Sequence, residues 1–135
     1  MREIKFRVWL DYFQKMFYDV HILGEELVVS LDGDGYDFIG DYKDFDVMQY
    51  TGIKDKNGRE IYEKDVVCFV DERESPKIER IGIVSFADGS FFIDCVHSKH
   101  YRWMDYEVEV IGNDYDLKHN NPGKLLDFIV VDDEE

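Results

Sequence analysis

Short apolar segments, some of them with apolar residues at every second position, recur along this chain and are interrupted by turn signals at intervals of about 8–12 residues. In residues 4–9, Ile4, Phe6 and Val8 fall on one side and Lys5, Arg7 and Trp9 on the other. Residues 106–111 alternate in the same way, with Tyr106, Val108 and Val110 set against Glu107 and Glu109. Such a rhythm buries one face of a strand. No segment before residue 113 sustains the roughly 3.6-residue period that an amphipathic helix needs. The predicted fold class is therefore mostly β.

Residues 1–50 read as a small strand-rich N-terminal subdomain, with strands at 4–9, 16–20, 27–31 and 47–50. A turn is predicted over 11–15. Residues 32–46 hold six Asp and one Lys, with Gly33 and Gly35 suited to positive φ. This stretch reads as a loop or irregular segment anchored by Tyr36, Phe38, Tyr42 and Phe45. Next comes Asp55-Lys56-Asn57-Gly58, in which Asp opens a type I turn and Gly58 takes the left-handed position. Strands follow at 66–70, 78–86, 91–96, 101–104 and 106–111. They are separated by a charged loop at 71–77, an Asp88-Gly89 hairpin and a turn at 97–100. Gly82, inside its strand, predicts a bulge or a bend. Five short strands within residues 51–113 predict a five-stranded SH3-like barrel. Residues 114–135 read as a short C-terminal helix and an acidic tail. Asn121 and Pro122 supply the N-cap and first position of the helix, and Asp132, Asp133, Glu134 and Glu135 end the chain.

Composition removes several classes of function. With 44% apolar and 16% aromatic residues, the 135-residue chain is too rich in core-forming side chains to be disordered throughout. It has no apolar run of about 18 residues, so no membrane span is expected. Its first residues alternate instead of forming the apolar core of a secretory signal. Cys68 and Cys95 lie inside apolar runs, which predicts reduced core thiols and a cytoplasmic setting. Sixteen Lys and Arg against 31 Asp and Glu give a formal net charge of −15. That field repels phosphate backbones, so direct nucleic-acid binding is not expected.

Motifs for chemistry are few. Cys95, His97 and His100 offer a thiol and two imidazoles, but structural zinc needs four ligands and no fourth is evident. Asp32, Asp34 and Asp37 carry oxygen ligands for a hard cation, yet the glycine and terminal glutamate of a calcium loop are missing. No Gly-x-Ser-x-Gly elbow frames a serine, and no phosphate-cradling loop is present, since Gly33 and Gly35 alternate with carboxylates. The expectation is no catalytic residue, no cofactor and no metal, hence no enzyme.

Three blocks carry a family resemblance. They are Ile4-Lys5-Phe6-Arg7-Val8-Trp9, the run from Val47-Met48-Gln49-Tyr50-Thr51-Gly52-Ile53 through Asp55-Lys56-Asn57-Gly58 to Asp65-Val66-Val67, and Tyr106-Glu107-Val108-Glu109-Val110-Ile111-Gly112-Asn113. In content and order they resemble the YopX family of small phage and prophage proteins. Lys64 stands where the family pattern has Gly in a Tyr-Glu-Gly-Asp turn, which argues against a positive φ there. The segment after Asn113 is longer than its family counterpart. The resemblance implies an SH3-type C-terminal half, a phage or prophage origin, a bacterial cytoplasm and self-association. It implies no reaction.

Aromatic residues are the remaining signal, with 10 Phe, 9 Tyr and 2 Trp. Trp9, Tyr12, Phe13, Phe17, Tyr42, Phe45, Tyr101 and Trp103 lie in or near predicted turns. They are the candidate interface of a self-associating module that docks on a host or phage protein. The alternative is an acidic DNA mimic that occupies a host protein's nucleic-acid groove. A metal-dependent hydrolase built on Asp32–Asp37 or Cys95–His100 is a third reading.

Overall fold

The computed structural model describes residues 3–71, 77–96 and 98–116. The chain divides into two compact units between Gly52 and Ile53, a boundary that falls inside a strand. The fold is mostly β, built from antiparallel sheets.

In unit 1 the strands are β1 (Phe6–Leu10), β2 (Lys15–Leu23), β3 (Glu26–Val29), β4 (Asp37–Asp41) and β5 (Asp46–Lys54). They lie in the order β4-β3-β2-β1-β5. Short turns set this order. Leu10 pairs with Lys15 across a four-residue turn, and Leu23 with Glu26 across a turn that opens on Gly24 at φ 65°. The alternation expected of β1 does not sort its side chains, because Arg7 and Trp9 on one face are buried as fully as Val8 and Leu10 on the other. Val8, Leu10, Phe17, Val20, Leu27 and Val29 form one buried cluster.

Residues 32–46 depart from the irregular segment expected. Phe38 pairs with Val28 and Asp37 with Val29, making β4 an edge strand, and Tyr42–Asp44 form a 3-10 turn. The register shifts between Leu27 and Val28, where Gly40 and then Phe38 are the partners on β4. Six aspartates hid this strand, because an edge strand needs only one face apolar.

Unit 2 carries β6 (Glu60–Tyr62), β7 (Asp65–Asp71), β8 (Ile78–Ala87), β9 (Ser90–Asp94), β10 (Lys99–His100) and β11 (Glu109–Asn113). Five of them form a sheet in the order β10-β9-β8-β7-β11. Asp88 and Gly89, at φ 53° and 80°, make the tight β8–β9 hairpin that the sequence predicts. Gly58 also takes its expected left-handed position, at φ 86°.

Other expectations are corrected. Among the described residues the five-stranded sheet does not close into a barrel, because β10 and β11 are its two edges. Residues 101–104 do not form a strand; the strand is Lys99–His100, and Trp103–Asp105 form a 3-10 turn. That turn swings Trp103 into the core, where its indole N–H donates to Phe91 O at 3.1 Å. Gly82 is not at a bulge: β7 and β8 pair in unbroken register through Val67 and Gly82. Residues 114–116 are helical, and Asn113 Oδ1 caps them by accepting from Asp116 N at 2.8 Å. The helix expected from Asn121 onward and the acidic tail lie outside the described residues, as does His97.

Candidate aromatic docking site

The hairpin between β1 and β2 ends in Asp11-Tyr12-Phe13-Gln14. Phe13 N donates to Leu10 O at 3.0 Å and Gln14 N to Asp11 O at 3.2 Å. Gln14 sits at φ 51°, and its side-chain amide donates to Asp11 Oδ1 at 2.7 Å. This tight closure pushes two consecutive aromatic rings outward. Tyr12 is 91% exposed and Phe13 47%. Their rings stand perpendicular, centroids 5.0 Å apart at 86°, and Phe13 meets the buried Phe17 edge-on at 5.7 Å.

A second element reaches the same place. After β4 the 3-10 turn, capped by Asp41 Oδ1 accepting from Lys43 N at 2.9 Å, delivers Asp44, Phe45 and Asp46. The Phe45 ring lies over Gly40, where a Cβ would come within 3.2 Å of it. Trp9, paired with Asp46 across the β1–β5 ladder, is buried beside them. Together Trp9, Tyr12, Phe13, Ile39 and Phe45 line an open pocket of about 390 Å³, with Asp11, Asp44 and Asp46 also on its wall.

Of the eight aromatic residues singled out in the sequence, four meet here: Trp9, Tyr12, Phe13 and Phe45. Tyr42 and Phe45 also pack against the unit 1 core, and Phe17 is part of it. Trp103 is 1% exposed and belongs to the core of unit 2, so it offers no free surface. Tyr101 is half exposed and its ring lies 5.0 Å from that of Phe92, within unit 2. A turn position did not make an aromatic residue superficial: Phe17 and Trp103 pack into the apolar clusters of their units, which favours burial. Asp44 and Asp46, which also line the pocket beside Phe45, gave no distinct signal among so many aspartates.

The remaining constellations serve structure. Asp32 Oδ1 accepts from Asp34 N at 2.9 Å, an Asx turn. Among the described residues no three His, Cys, Asp or Glu side chains are grouped as metal ligands. Burial in β7, followed by the charges of Glu79 and Glu109, pushes the Cys68 thiol up, away from the thiolate a nucleophile needs. Buried His100 bridges Ser98 Oγ at 2.9 Å on Nε2 and Tyr106 Oη at 3.1 Å on Nδ1. It also packs against Phe69, ring centroids 5.1 Å apart. These contacts tie β10 to the turn after it. No helix among the described residues is long and apolar enough to cross a membrane.

Comparison with known proteins adds the relationship. The family model described as YopX protein matches residues 5–125. Protein EF1440 from Enterococcus faecalis has a crystal structure that superposes with a TM-score of 0.57 at 23% identity, covering 89% of this chain and 99% of that one. Protein yopX from Bacillus subtilis superposes at 0.58, also with 23% identity, over 89% of this chain and 96% of its own. The likeness to these two structures is one of fold. No curated protein matches the chain.

Proposed function

The chain belongs to the YopX family, and from that premise we propose that it is a non-enzymatic, phage- or prophage-encoded interaction module of the bacterial cytoplasm that self-associates and that, by a separate contact through the aromatic end of unit 1, docks a partner protein. One observation carries the reading. Two non-adjacent elements, the β1–β2 turn and the 3-10 turn after β4, bring Tyr12, Phe13 and Phe45 to one open apolar pocket. Core formation does not require this, since Tyr12 remains almost wholly exposed. Rigid aromatic side chains around a recess are the kind of anchor that dominates protein interfaces.

The DNA-mimic alternative has less support. Phosphate-like display needs carboxylates held out in a row. Here several acidic side chains are engaged locally: Asp32 and Asp41 on backbone N–H groups, and Asp19 on the Tyr36 hydroxyl at 2.8 Å.

The test compares the native chain with a Tyr12→Ala, Phe13→Ala double variant. Light scattering gives oligomer size, and affinity capture from lysogenic cells is run at two salt concentrations. A native oligomer, and a captured protein lost in the variant, are expected. A monomer that captures the same proteins with and without the two rings would overturn the proposal. Binding by both forms that collapses steeply with salt would transfer support to the acidic surface.

A further inference from the structure

We infer that the unit 1 pocket receives a cationic side chain, an arginine or lysine flanked by apolar residues, presented by a partner protein; this rests on the docking reading above and names the partner's chemistry. The wall combines the two features that attract an organic cation. Trp9, Tyr12, Phe13 and Phe45 bring aromatic rings, whose faces carry negative potential. Asp11, Asp44 and Asp46 bring formal negative charge to the same recess, and among the described residues no basic one lines it.

Lys15 Nζ lies 5.3 Å from the centre of the Phe17 ring, and Lys43 Nζ lies 3.3 Å from Glu25 Oε1. The pairing of cation and ring recurs within the molecule, with Lys5 over Tyr50 at 5.1 Å and Lys99 over Phe92 at 5.7 Å. A partner's cation in the pocket would repeat a contact this chain makes internally. Charge complementarity selects the occupant. A second copy of a chain with net charge −15 meets an acidic recess unfavourably, whereas a basic segment is steered toward it. The cation alone is not enough, because Ile39 and the rings also offer apolar contact. The aliphatic stem of arginine or lysine and its apolar neighbours fill that part.

The experiment titrates the isotope-labelled full chain with a capped Gly-Leu-Arg-Leu-Gly peptide and follows the backbone amides of Tyr12, Phe13 and Phe45. A second peptide carries citrulline, uncharged and of the same shape, in place of arginine. Tetramethylammonium chloride is the third probe. The arginine peptide should move these amides, and the citrulline peptide should bind about tenfold more weakly. Asp44→Asn with Asp46→Asn, both at exposed positions, should weaken only the arginine peptide. Equal affinity for the two peptides would overturn the cation while leaving the docking reading intact. If neither peptide moves these amides, the cation inference falls, and the capture experiment with the Tyr12→Ala, Phe13→Ala variant decides the docking reading by itself. Tetramethylammonium binding as tightly as the peptide would assign the pocket to a small ligand instead of a protein. Shifts that follow protein concentration without any peptide would assign it to a second copy.

Discussion

Asp55 and Val110, 55 positions apart in sequence, are joined by a hydrogen bond in which Val110 N donates to Asp55 Oδ2 at 2.9 Å. The other carboxylate oxygen accepts from Asn57 N at 2.9 Å and Arg59 N at 2.8 Å. One side chain thus closes the turn after β5 and fastens β11 to it. Asp55→Ala leaves the buried Val110 N–H without its acceptor. The expected loss is about 2–3 kcal/mol of unfolding free energy in urea titration. Asp55→Asn keeps one oxygen but presents an NH2 group to a donor, and should lose less.

The same carboxylate sets an acid limit. Burial alone would raise its pKa, but the three backbone N–H groups, joined by the Arg59 charge, outweigh burial and leave it lowered. A depressed folded-state pKa adds stability that is present above the unfolded value, near 4, and is lost as pH falls through the folded value. Thermal midpoints should therefore hold from pH 7 to about 5 and decline below about 4. The decline should be shallower in Asp55→Asn, which has no proton to take up there. An identical slope in both proteins would show that other carboxylates set the limit.

Lys64 adopts φ 71°, contrary to the expectation from its side chain. Its N–H donates to Val84 O at 2.8 Å and its carbonyl accepts from Asp114 N at 2.7 Å. Those two bonds, with Tyr62 N donating to Asp65 Oδ2 at 2.8 Å, hold the turn in the conformation that glycine favours. Lys64→Gly should relieve the left-handed strain. After the added freedom of the unfolded chain is deducted, a gain of about 0.5–1 kcal/mol is expected in chemical denaturation.

Gly82 is needed for space. A Cβ there would lie 2.7 Å from Ile93 Cγ2, 2.9 Å from Asp94 O and 2.9 Å from Cys95 Sγ. One of these contacts is backbone and cannot step aside, so β8 and β9 must part locally. Gly82→Ala should cost about 1–3 kcal/mol, read as a lower thermal midpoint. Gly89→Ala meets no atom within 4 Å, and its cost should come only from φ 80°.

These cases mark how far the sequence speaks. Alternation and turn glycines reveal β1, β8, β9 and the Asp88-Gly89 hairpin, because local geometry decides them. The edge strand β4 and the 3-10 turn at Trp103 stay hidden, because pairing with β3 and a hydrogen bond to Phe91 O decide those. Half of the aromatic residues chosen from the sequence meet in the pocket. Residue type marks what an aromatic side chain can do, and only the packed chain separates Tyr12 from Trp103. Asp55 reads correctly as a turn opener, yet its hold on Val110 depends on contacts that no local spacing encodes.

The pocket depends on Gly40 through Phe45. Gly40 has φ 149°, sits at the register shift of β4, and leaves empty the space in which a Cβ would stand 3.2 Å from the Phe45 ring. Gly40→Ala strains the backbone and displaces the Phe45 ring by a few tenths of an ångström, whereas Tyr12→Ala removes a side chain that is almost wholly exposed. Gly40→Ala should therefore cost about 1–2 kcal/mol of stability and weaken arginine-peptide binding at the same time. Tyr12→Ala should weaken binding while moving the thermal midpoint little. Parallel denaturation and titration of both variants separates the two effects. If Gly40→Ala binds the peptide as the native chain does, Phe45 is not part of the recognition surface.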